Sequence, residues 1–178
     1  MKLYLARHTE TNYNVEGLCN ADPSVDVHLT MHGIEQAKHL SQKLAGEDIE
    51  VIYISELPRT RRTAEFVNLY HNVPLIVDPR INENISGFES KPVRDFIDAL
   101  EKSSDKRQAS FNDGESLEMV CKRVENFLMT LKATGQSSVL VITHAYIIEC
   151  IHGILNKSPD YYSAGYMIDQ GDYDTFEI

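Results

Sequence analysis

The sequence has 178 residues, of which 42% are hydrophobic and 25% are charged, and its formal net charge at pH 7 is −10. This length and composition predict one globular domain over residues 1–178, with a core large enough to be stable without disulfide staples. The longest apolar runs are strand-sized, which excludes a membrane partner through a spanning helix, and the acidic charge argues against nucleic acid as a partner.

The cysteines and the N-terminus indicate the compartment. Cys19, Cys121 and Cys150 are odd in number and widely spaced, and none belongs to a Cys-x-x-Cys pair. This usage is typical of proteins in a reducing environment. The N-terminus passes directly into alternating residues, without the apolar region of a signal peptide. We therefore expect a cytoplasmic protein.

The first half of the chain alternates predicted strands with predicted helices. Residues 2–6 predict a buried first strand, whereas residues 12–30 contain Gly, Pro and Asx residues and predict an irregular segment. Residues 34–44 carry apolar side chains at helical spacing. The β-branched run at 51–54 predicts a core strand, and a proline opens the predicted helix at 58–70.

The second half continues this alternation. Short apolar runs predict strands at 75–77 and 139–143, and helices are predicted at 93–102 and 146–155. Between them, Ser116 is a good N-cap for the clearest helix of the chain. The apolar stripe of that helix comprises Leu117, Val120, Cys121, Val124, Phe127, Leu128 and Leu131.

These elements predict an α/β fold, a three-layer αβα sandwich with a largely parallel central sheet. The tail, at 166–168 and 174–178, is expected to supply one or two closing strands. Ligands of such sheets lie beyond the carboxyl ends of the strands. We therefore expect the functional residues directly after the first, second and last core strands.

Two arginines and two histidines follow those strands. Arg7 and His8 follow the first strand, Arg59 follows the second, and His144 follows the last. Arginine forks suit phosphate oxygens, and a neutral imidazole whose other nitrogen is held by an acceptor can attack phosphorus. A second, protonated imidazole could stabilise the developing charge. A single histidine at a strand end is more often structural, so the prediction of phosphoryl transfer depends on their convergence.

Transfer from a phosphomonoester also needs a proton donor for the leaving alkoxide. Glu83 follows the predicted strand at 75–77, on a loop that could reach the same edge of the sheet. Without the other residues, a solvated loop carboxylate would be the better interpretation. With them, Glu83 is the candidate acid.

Six blocks of residues match a known pattern in order along the chain. They are Arg7-His8-Thr9-Glu10-Thr11 with Asn14; Leu29-Thr30 with Gly33, Gln36 and Ala37; Ser55 to Arg59 with Thr63-Ala64; Arg80 to Glu83 with Gly87; Gly114-Glu115-Ser116; and Val141 to His144. Together they resemble the histidine phosphatases, also called the phosphoglycerate mutase-like superfamily. Each block alone is weak, and their order through most of the chain makes the resemblance specific.

This resemblance implies a phosphoglycerate mutase-like fold and hydrolysis of a small phosphorylated substrate. It implies that His8 is the nucleophile, phosphorylated during turnover, and that Glu83 is the proton donor. The residues that it implies for holding the phosphoryl group are Arg7, Asn14, Arg59 and His144. The family uses neither a metal nor a nucleotide, so we expect no cofactor.

Three departures from the family pattern bear on activity. Thr9 stands where the family usually has glycine, and Ala145 replaces the glycine after the second histidine. Phe88-Glu89-Ser90 stands where Trp-Glu-Gly is common. We expect these changes to alter the shape of the pocket, which could alter the rate of turnover. They keep open a catalytically weak protein that binds a phosphorylated ligand or a partner.

Within the family, the alternative activity is phosphotransfer of the phosphoglycerate mutase type, which requires a well-covered site. Only residues 90–115 are available as cover in this chain, which favours a phosphomonoesterase. The basic residues of that region either read a second anionic group of the substrate or form solvated surface. They are Lys91, Arg94, Lys102, Lys106 and Arg107.

Overall fold

The computed structural model describes residues 1–159 and 162–178. The elements in chain order are β1 (Lys2–Arg7), α1 (Asn12–Glu16), α2 (Met31–Leu44), β2 (Val51–Ile54), α3 (Pro58–His71), β3 (Leu75–Val77), a 3-10 turn (Pro79–Ile81), α4 (Val93–Lys102), α5 (Leu117–Lys132), β4 (Ser138–Thr143), α6 (Ala145–Leu155) and β5 (Tyr173–Glu177). Within these two ranges, no helix is long and apolar enough to cross a membrane.

The five strands form one sheet in the order β3-β2-β4-β1-β5. The pairs β3–β2, β2–β4 and β4–β1 are parallel, and β5 runs antiparallel to β1 at the edge. In the centre of the sheet, Val141 of β4 pairs with Leu5 of β1 on one side and with Tyr53 of β2 on the other. The largely parallel sheet predicted from the sequence is therefore confirmed.

Helices cover both faces of the sheet because the central strands are apolar on both sides. Leu3 and Leu5 of β1 pack in the core shared with α5 and α6, whereas Tyr4 and Ala6 pack in the core shared with α2 and α3. Every residue of β4 is buried. This arrangement confirms the predicted three-layer αβα sandwich.

The segment that the sequence predicted to be irregular contains the short helix α1. The Thr11 hydroxyl accepts a hydrogen bond from Asn14 N at 3.2 Å, and Asn14 Oδ1 accepts one from Thr11 N at 3.0 Å. This reciprocal capping box begins the helix, and Gly17 ends it with a left-handed φ of 67°. The helix escaped prediction because asparagine replaces the usual Glu or Gln of a capping box.

The tail supplies one strand, β5, so the alternative of a second strand at 166–168 is wrong. Tyr166 instead stacks on His152, with ring centroids 3.6 Å apart, and its hydroxyl donates to Asp174 Oδ2 at 2.6 Å. These side-chain contacts hold the segment against α6 without a strand partner.

Candidate active site

His8 leaves the carboxyl end of β1 as a buried side chain, 3% exposed. Its Nδ1 donates to the carbonyl oxygen of Thr9 at 2.8 Å, and its Nε2 accepts a hydrogen bond from Arg59 Nε at 3.2 Å. Because an arginine can only donate, this geometry fixes the neutral tautomer with the lone pair on Nε2. Burial first, and then the charge of Arg59, lower the pKa of His8 well below its ordinary value. The imidazole is thus neutral, with its lone pair on Nε2.

His144 lies directly behind His8, with ring centroids 5.1 Å apart, and it is 0% exposed. Arg59 Nε donates to its Nδ1 at 3.3 Å, so its Nε2 carries the proton and donates to the Ser55 hydroxyl at 2.9 Å. Burial and Arg59 lower the pKa of His144 well below its usual range. His144 is therefore neutral in this arrangement, because an arginine charge lies between the two rings, and its protonation beside a bound phosphate stays a prediction.

Arg59 lies in the first turn of α3. The helix begins at Pro58, and proline is tolerated there because a backbone N–H at this position would have no intrahelical acceptor. Its Nη1 donates to Asn20 Oδ1 at 2.5 Å, and its Nη2 donates to Asn20 O at 3.0 Å. Burial lowers the pKa of Arg59 to about 10, so the guanidinium stays charged at neutral pH. Arg59 therefore connects both imidazoles to the loop after α1.

Asn20 is a site residue that the sequence did not reveal. Its Nδ2 donates to Glu89 Oε1 at 2.8 Å, and Glu89 Oε2 accepts from Ala21 N at 2.7 Å. In Phe88-Glu89-Ser90, only Glu89 matches the Trp-Glu-Gly that is common in the family. This match is the feature of the sequence that could have pointed to the Asn20–Glu89 contact. Ser90 adopts a φ of 57°, a left-handed conformation that favours the glycine common in the family at this position.

Arg7 and Asn14 line the same cavity as His8. Arg7 Nη1 donates to Ile168 O at 3.4 Å, and its Nε is buried with no hydrogen-bond partner in residues 1–159 and 162–178. The Oδ1 atom of Asn14 is occupied as an acceptor by Gln170 Nε2 at 2.7 Å and by the helix cap. Arg7 therefore offers an unpaired donor to an anion, and Asn14 has its amide group available for the same use.

Glu83 lies on the loop after the 3-10 turn, and its side chain lines the cavity. Its Oε1 accepts a hydrogen bond from Asn84 N at 2.9 Å. Burial raises the pKa of Glu83, and the charges of Arg59 and Arg7 oppose that shift. The net shift is upward, which is the direction that suits a proton donor.

Arg123 of α5 anchors the Glu83 loop, a role that no pattern in the sequence indicates. Its Nη1 donates to Arg80 O at 2.7 Å and its Nη2 to Glu83 O at 3.4 Å. Its Nε donates to Glu115 Oε1 at 2.8 Å, while Glu115 Oε2 accepts from Ile85 N at 3.1 Å. The Arg123–Glu115 pair thus fixes the loop backbone on both sides of the candidate acid.

The two glycine replacements beside the histidines have different consequences. Thr9 is fully buried, with its N donating to Thr63 Oγ1 at 3.2 Å, and its methyl group lies against Gly171, where an added Cβ would come within 3.1 Å. Thr9 does not line the cavity, and an effect of this residue on the shape of the pocket stays a prediction. Its carbonyl instead orients His8. Ala145 does line the cavity, as expected.

The cavity has a volume of about 550 Å³. Five of the six site residues predicted from the sequence line it, and His144 lies behind them. Those five are Arg7, His8, Asn14, Arg59 and Glu83. Across residues 1–159 and 162–178, no group of three His, Cys, Asp or Glu side chains is arranged to hold a metal ion. A neutral imidazole, two guanidinium cations and a carboxyl group with a raised pKa are suited to attack on a phosphate ester.

Known proteins are similar to this chain in sequence and in architecture. The model of the histidine phosphatase superfamily (branch 1) matches residues 3–172. The adenosylcobalamin/alpha-ribazole phosphatase of Escherichia coli (strain K12) is 30% identical, covering 100% of this chain and 90% of the relative. Phosphoserine phosphatase 1 of Hydrogenobacter thermophilus is 34% identical, covering 81% of this chain and 71% of the relative.

The crystal structure of the alpha-ribazole phosphatase from Shigella flexneri matches with a TM-score of 0.87 at 28% identity, covering 100% of this chain and 91% of that one. This similarity confirms the predicted phosphoglycerate mutase-like fold. With the match of the family model over residues 3–172, it leads to one conclusion. The chain belongs to the histidine phosphatase superfamily.

Proposed function

We propose that this protein is a phosphomonoesterase that hydrolyses a small phosphorylated metabolite through a phosphohistidine on His8. The observation that carries the proposal is the state of His8: its Nδ1 is bound to the Thr9 carbonyl, and its Nε2 lone pair is oriented by Arg59. A neutral, fixed imidazole at the wall of a cavity is prepared to attack phosphorus. Glu83, whose pKa burial raises, supplies the proton donor across the same cavity.

Substrate binding requires Arg59 to exchange partners. Its Nε–H group is shared between the two histidines. In the substrate complex, this group donates to a phosphate oxygen instead. The unpaired Nε of Arg7 and the amide group of Asn14 add further donors. A dianion beside His144 raises the pKa of that imidazole, so that the protonated ring stabilises the phosphoryl group only once substrate is bound.

The first chemical step forms the bond between His8 Nε2 and phosphorus as the bond to the leaving oxygen breaks. That oxygen takes the proton from Glu83, which becomes a carboxylate. In the second step, a water molecule gives a proton to Glu83 as its oxygen bonds to phosphorus. The bond to Nε2 then breaks, which releases inorganic phosphate and restores both residues. The balance of these steps needs no metal ion.

The named relatives support a phosphatase without selecting its substrate. One is named an adenosylcobalamin/alpha-ribazole phosphatase and another a phosphoserine phosphatase. Both names describe phosphomonoesterases of small phosphorylated compounds, and neither describes a mutase. We therefore propose hydrolysis over phosphotransfer for this chain, with both of those phosphate esters in the first panel of substrates.

A cytoplasmic location is supported by the buried thiols. The Sγ atoms of Cys121 and Cys150 lie 3.5 Å apart in the core, as a contact between thiols. Two cysteines this close remain reduced most readily in a reducing compartment.

The direct test is hydrolysis of 4-nitrophenyl phosphate in the presence of EDTA. The wild type is expected to release phosphate, and His8→Ala to lose at least about a thousandfold in kcat. His39→Ala is the matched control, since His39 is exposed on α2 and should leave the rate unchanged. Retained activity in His8→Ala, or a strict need for a metal, contradicts the proposal. Phosphate binding without turnover in the wild type indicates the non-catalytic alternative.

A further inference from the structure

We propose that the leaving group of the substrate is uncharged and apolar, of the size of a ring, and carries no second anionic group. This inference rests on the proposed function, because it concerns the part of the cavity beyond the phosphate site. That part is called here the distal end, and it is lined by α4 and by Tyr162, Tyr166 and Met167. The side chains of α4 that line it are Val93, Phe96, Ile97 and Leu100.

Helix α4 presents an apolar face to the cavity. None of its side chains is fully buried, and Ile97 is 42% exposed. Phe96 is held in place by Phe88 and Phe111, with ring centroids 6.0 Å and 6.3 Å away. The wall is thus anchored at one aromatic ring while its remaining apolar surface faces the cavity. Covering such a surface with an apolar group is favourable.

A second part of the cavity lining consists of neutral aromatic side chains. The rings of Tyr146 and Tyr162 lie with centroids 5.5 Å apart, and both line the cavity. Burial raises the pKa of each phenol, so both stay uncharged. The hydroxyl of Tyr162 donates to Glu149 Oε2, and Gly165 N donates to Glu149 Oε1 at 2.8 Å. Glu149 therefore holds these rings in position and adds a carboxylate to the lining of the cavity.

The charges of the lining exclude a second anion on the substrate. Among the described residues that line the cavity, the cations are Arg7 and Arg59, and both lie at the phosphate end. A phosphate dianion uses these two charges, and Glu149 repels any further negative group. The basic residues of 90–115 line no part of the described cavity, so the alternative that they read a second anion is not supported. Arg94 instead pairs with Asp98 on an exposed part of α4.

The size of the cavity agrees with a leaving group as large as a ring. A volume of about 550 Å³ is several times that of a phosphoryl group. The remaining space is bounded mostly by apolar and aromatic side chains, with a few polar groups such as Asn84 and Ser86, which is the common composition of a site for a small organic molecule. The geometry therefore points to selection of the leaving group by apolar contact and by exclusion of charge.

Two esters of equal chemical reactivity test this inference. The phenols released by 4-ethylphenyl phosphate and 4-(carboxymethyl)phenyl phosphate have similar acidity, so a difference in kcat/KM reports the distal end. We expect the wild type to prefer the uncharged ester by about tenfold or more. Equal values, or a preference for the carboxylate, overturn the inference and leave the proposed function standing.

A pair of variants on α4 separates local from global charge. Ile97→Lys places a cation at the distal end and should reduce the preference by raising kcat/KM for the carboxylate ester. Glu101→Gln changes the net charge by the same amount on an exposed part of the helix that does not line the cavity, and should leave the preference unchanged. An identical preference in Ile97→Lys and Glu101→Gln overturns the inference.

If neither ester is hydrolysed, the proposed function fails and binding decides the inference alone. The probes are then 4-ethylbenzylphosphonate and its 4-carboxymethyl counterpart, measured by titration calorimetry against the wild type. Tighter binding of the ethyl compound supports the inference, and equal or weaker binding overturns it.

Discussion

The two ends of the cavity are built in different ways. At the phosphate end, His8, Arg59 and His144 leave the sheet or the first turn of a helix as buried side chains joined by hydrogen bonds. At the distal end, Ile97 is exposed and α4 contributes no fully buried side chain. The residues proposed for phosphoryl transfer are thus positioned by the central sheet, whereas the residues proposed to select the substrate belong to peripheral elements.

The physical reason lies in what each end must satisfy. Buried polar groups need partners, so moving one residue at the phosphate end leaves several others unpaired. Apolar contacts are non-directional, so side chains of the distal end can change without loss of the site. Substitutions at the two ends should therefore differ in both size and kind.

The largest effect is expected from Glu83→Gln. The protonated acid is needed most when the leaving group is a poor one, so kcat for an alkyl phosphate should fall by about a hundredfold to ten-thousandfold. An aryl phosphate should lose much less. Because the pKa of Glu83 is raised, wild-type kcat for the alkyl ester should decline as pH rises through that pKa. Steady-state rates against pH for both esters measure this.

The variant should lack the declining limb, because glutamine does not titrate. Equal slowing of the two esters, or a limb that persists in Glu83→Gln, contradicts the role of Glu83 and would move the proton donor elsewhere.

Arg59→Ala and Phe96→Ala compare the two ends directly. Loss of one charged donor to the transition state should lower kcat/KM by about a hundredfold to a thousandfold for every ester. Loss of an apolar ring at the distal end should cost about tenfold, and only for substrates with a large leaving group. Inhibition by inorganic phosphate should weaken in Arg59→Ala and stay unchanged in Phe96→Ala. Similar inhibition constants for the two variants would contradict the proposed difference between the phosphate end and the distal end.

Arg123→Met tests whether the Glu83 loop must be held at the phosphate end. Arg123 touches the loop backbone and Glu115, so it acts as a positioning residue. We expect a loss of about tenfold to a hundredfold in kcat for an alkyl ester, with KM little changed. Leaving-group dependence should resemble that of Glu83→Gln in weaker form. A uniform loss across all esters, with reduced thermal stability, indicates a purely structural role.

The last expected effect concerns stability rather than rate. The pKa of His8 and of His144 is lower in the folded protein than in the unfolded chain, so the unfolded state binds more protons below about pH 6.5. The stabilisation is complete above that pH and is lost as pH falls, by about 1.4 kcal/mol per pH unit for each histidine. Urea unfolding at pH 7.5, 6.5 and 5.5 measures it. His144→Gln should reduce the slope, and His39→Gln should not.

The sequence predicted the phosphate end better than the distal end, because the residues of the phosphate end lie at the ends of recognisable strands. Arg7, His8 and His144 follow apolar strands, and the sheet brings strand ends together. The neutral state of His144 was not predictable, because it depends on the position of Arg59 between the rings. Asn20 and Arg123 act through tertiary hydrogen bonds that no spacing in the sequence indicates.

The distal end did leave a signal. Val93, Phe96, Ile97 and Leu100 have the spacing of an apolar helix face. That spacing does not distinguish a face packed on a core from one that lines a cavity, since both place apolar groups on one side. Only the three-dimensional arrangement separates the two.

The central claim is that His8 becomes phosphorylated, and trapping the intermediate tests it most directly. The enzyme is mixed with 4-nitrophenyl phosphate, quenched in alkali within milliseconds and digested for mass spectrometry. The account predicts a phosphate that is stable to alkali and labile to acid on the peptide containing His8, and its absence from His8→Ala. A phosphate on any other residue, or an equal yield from His8→Ala, would contradict it.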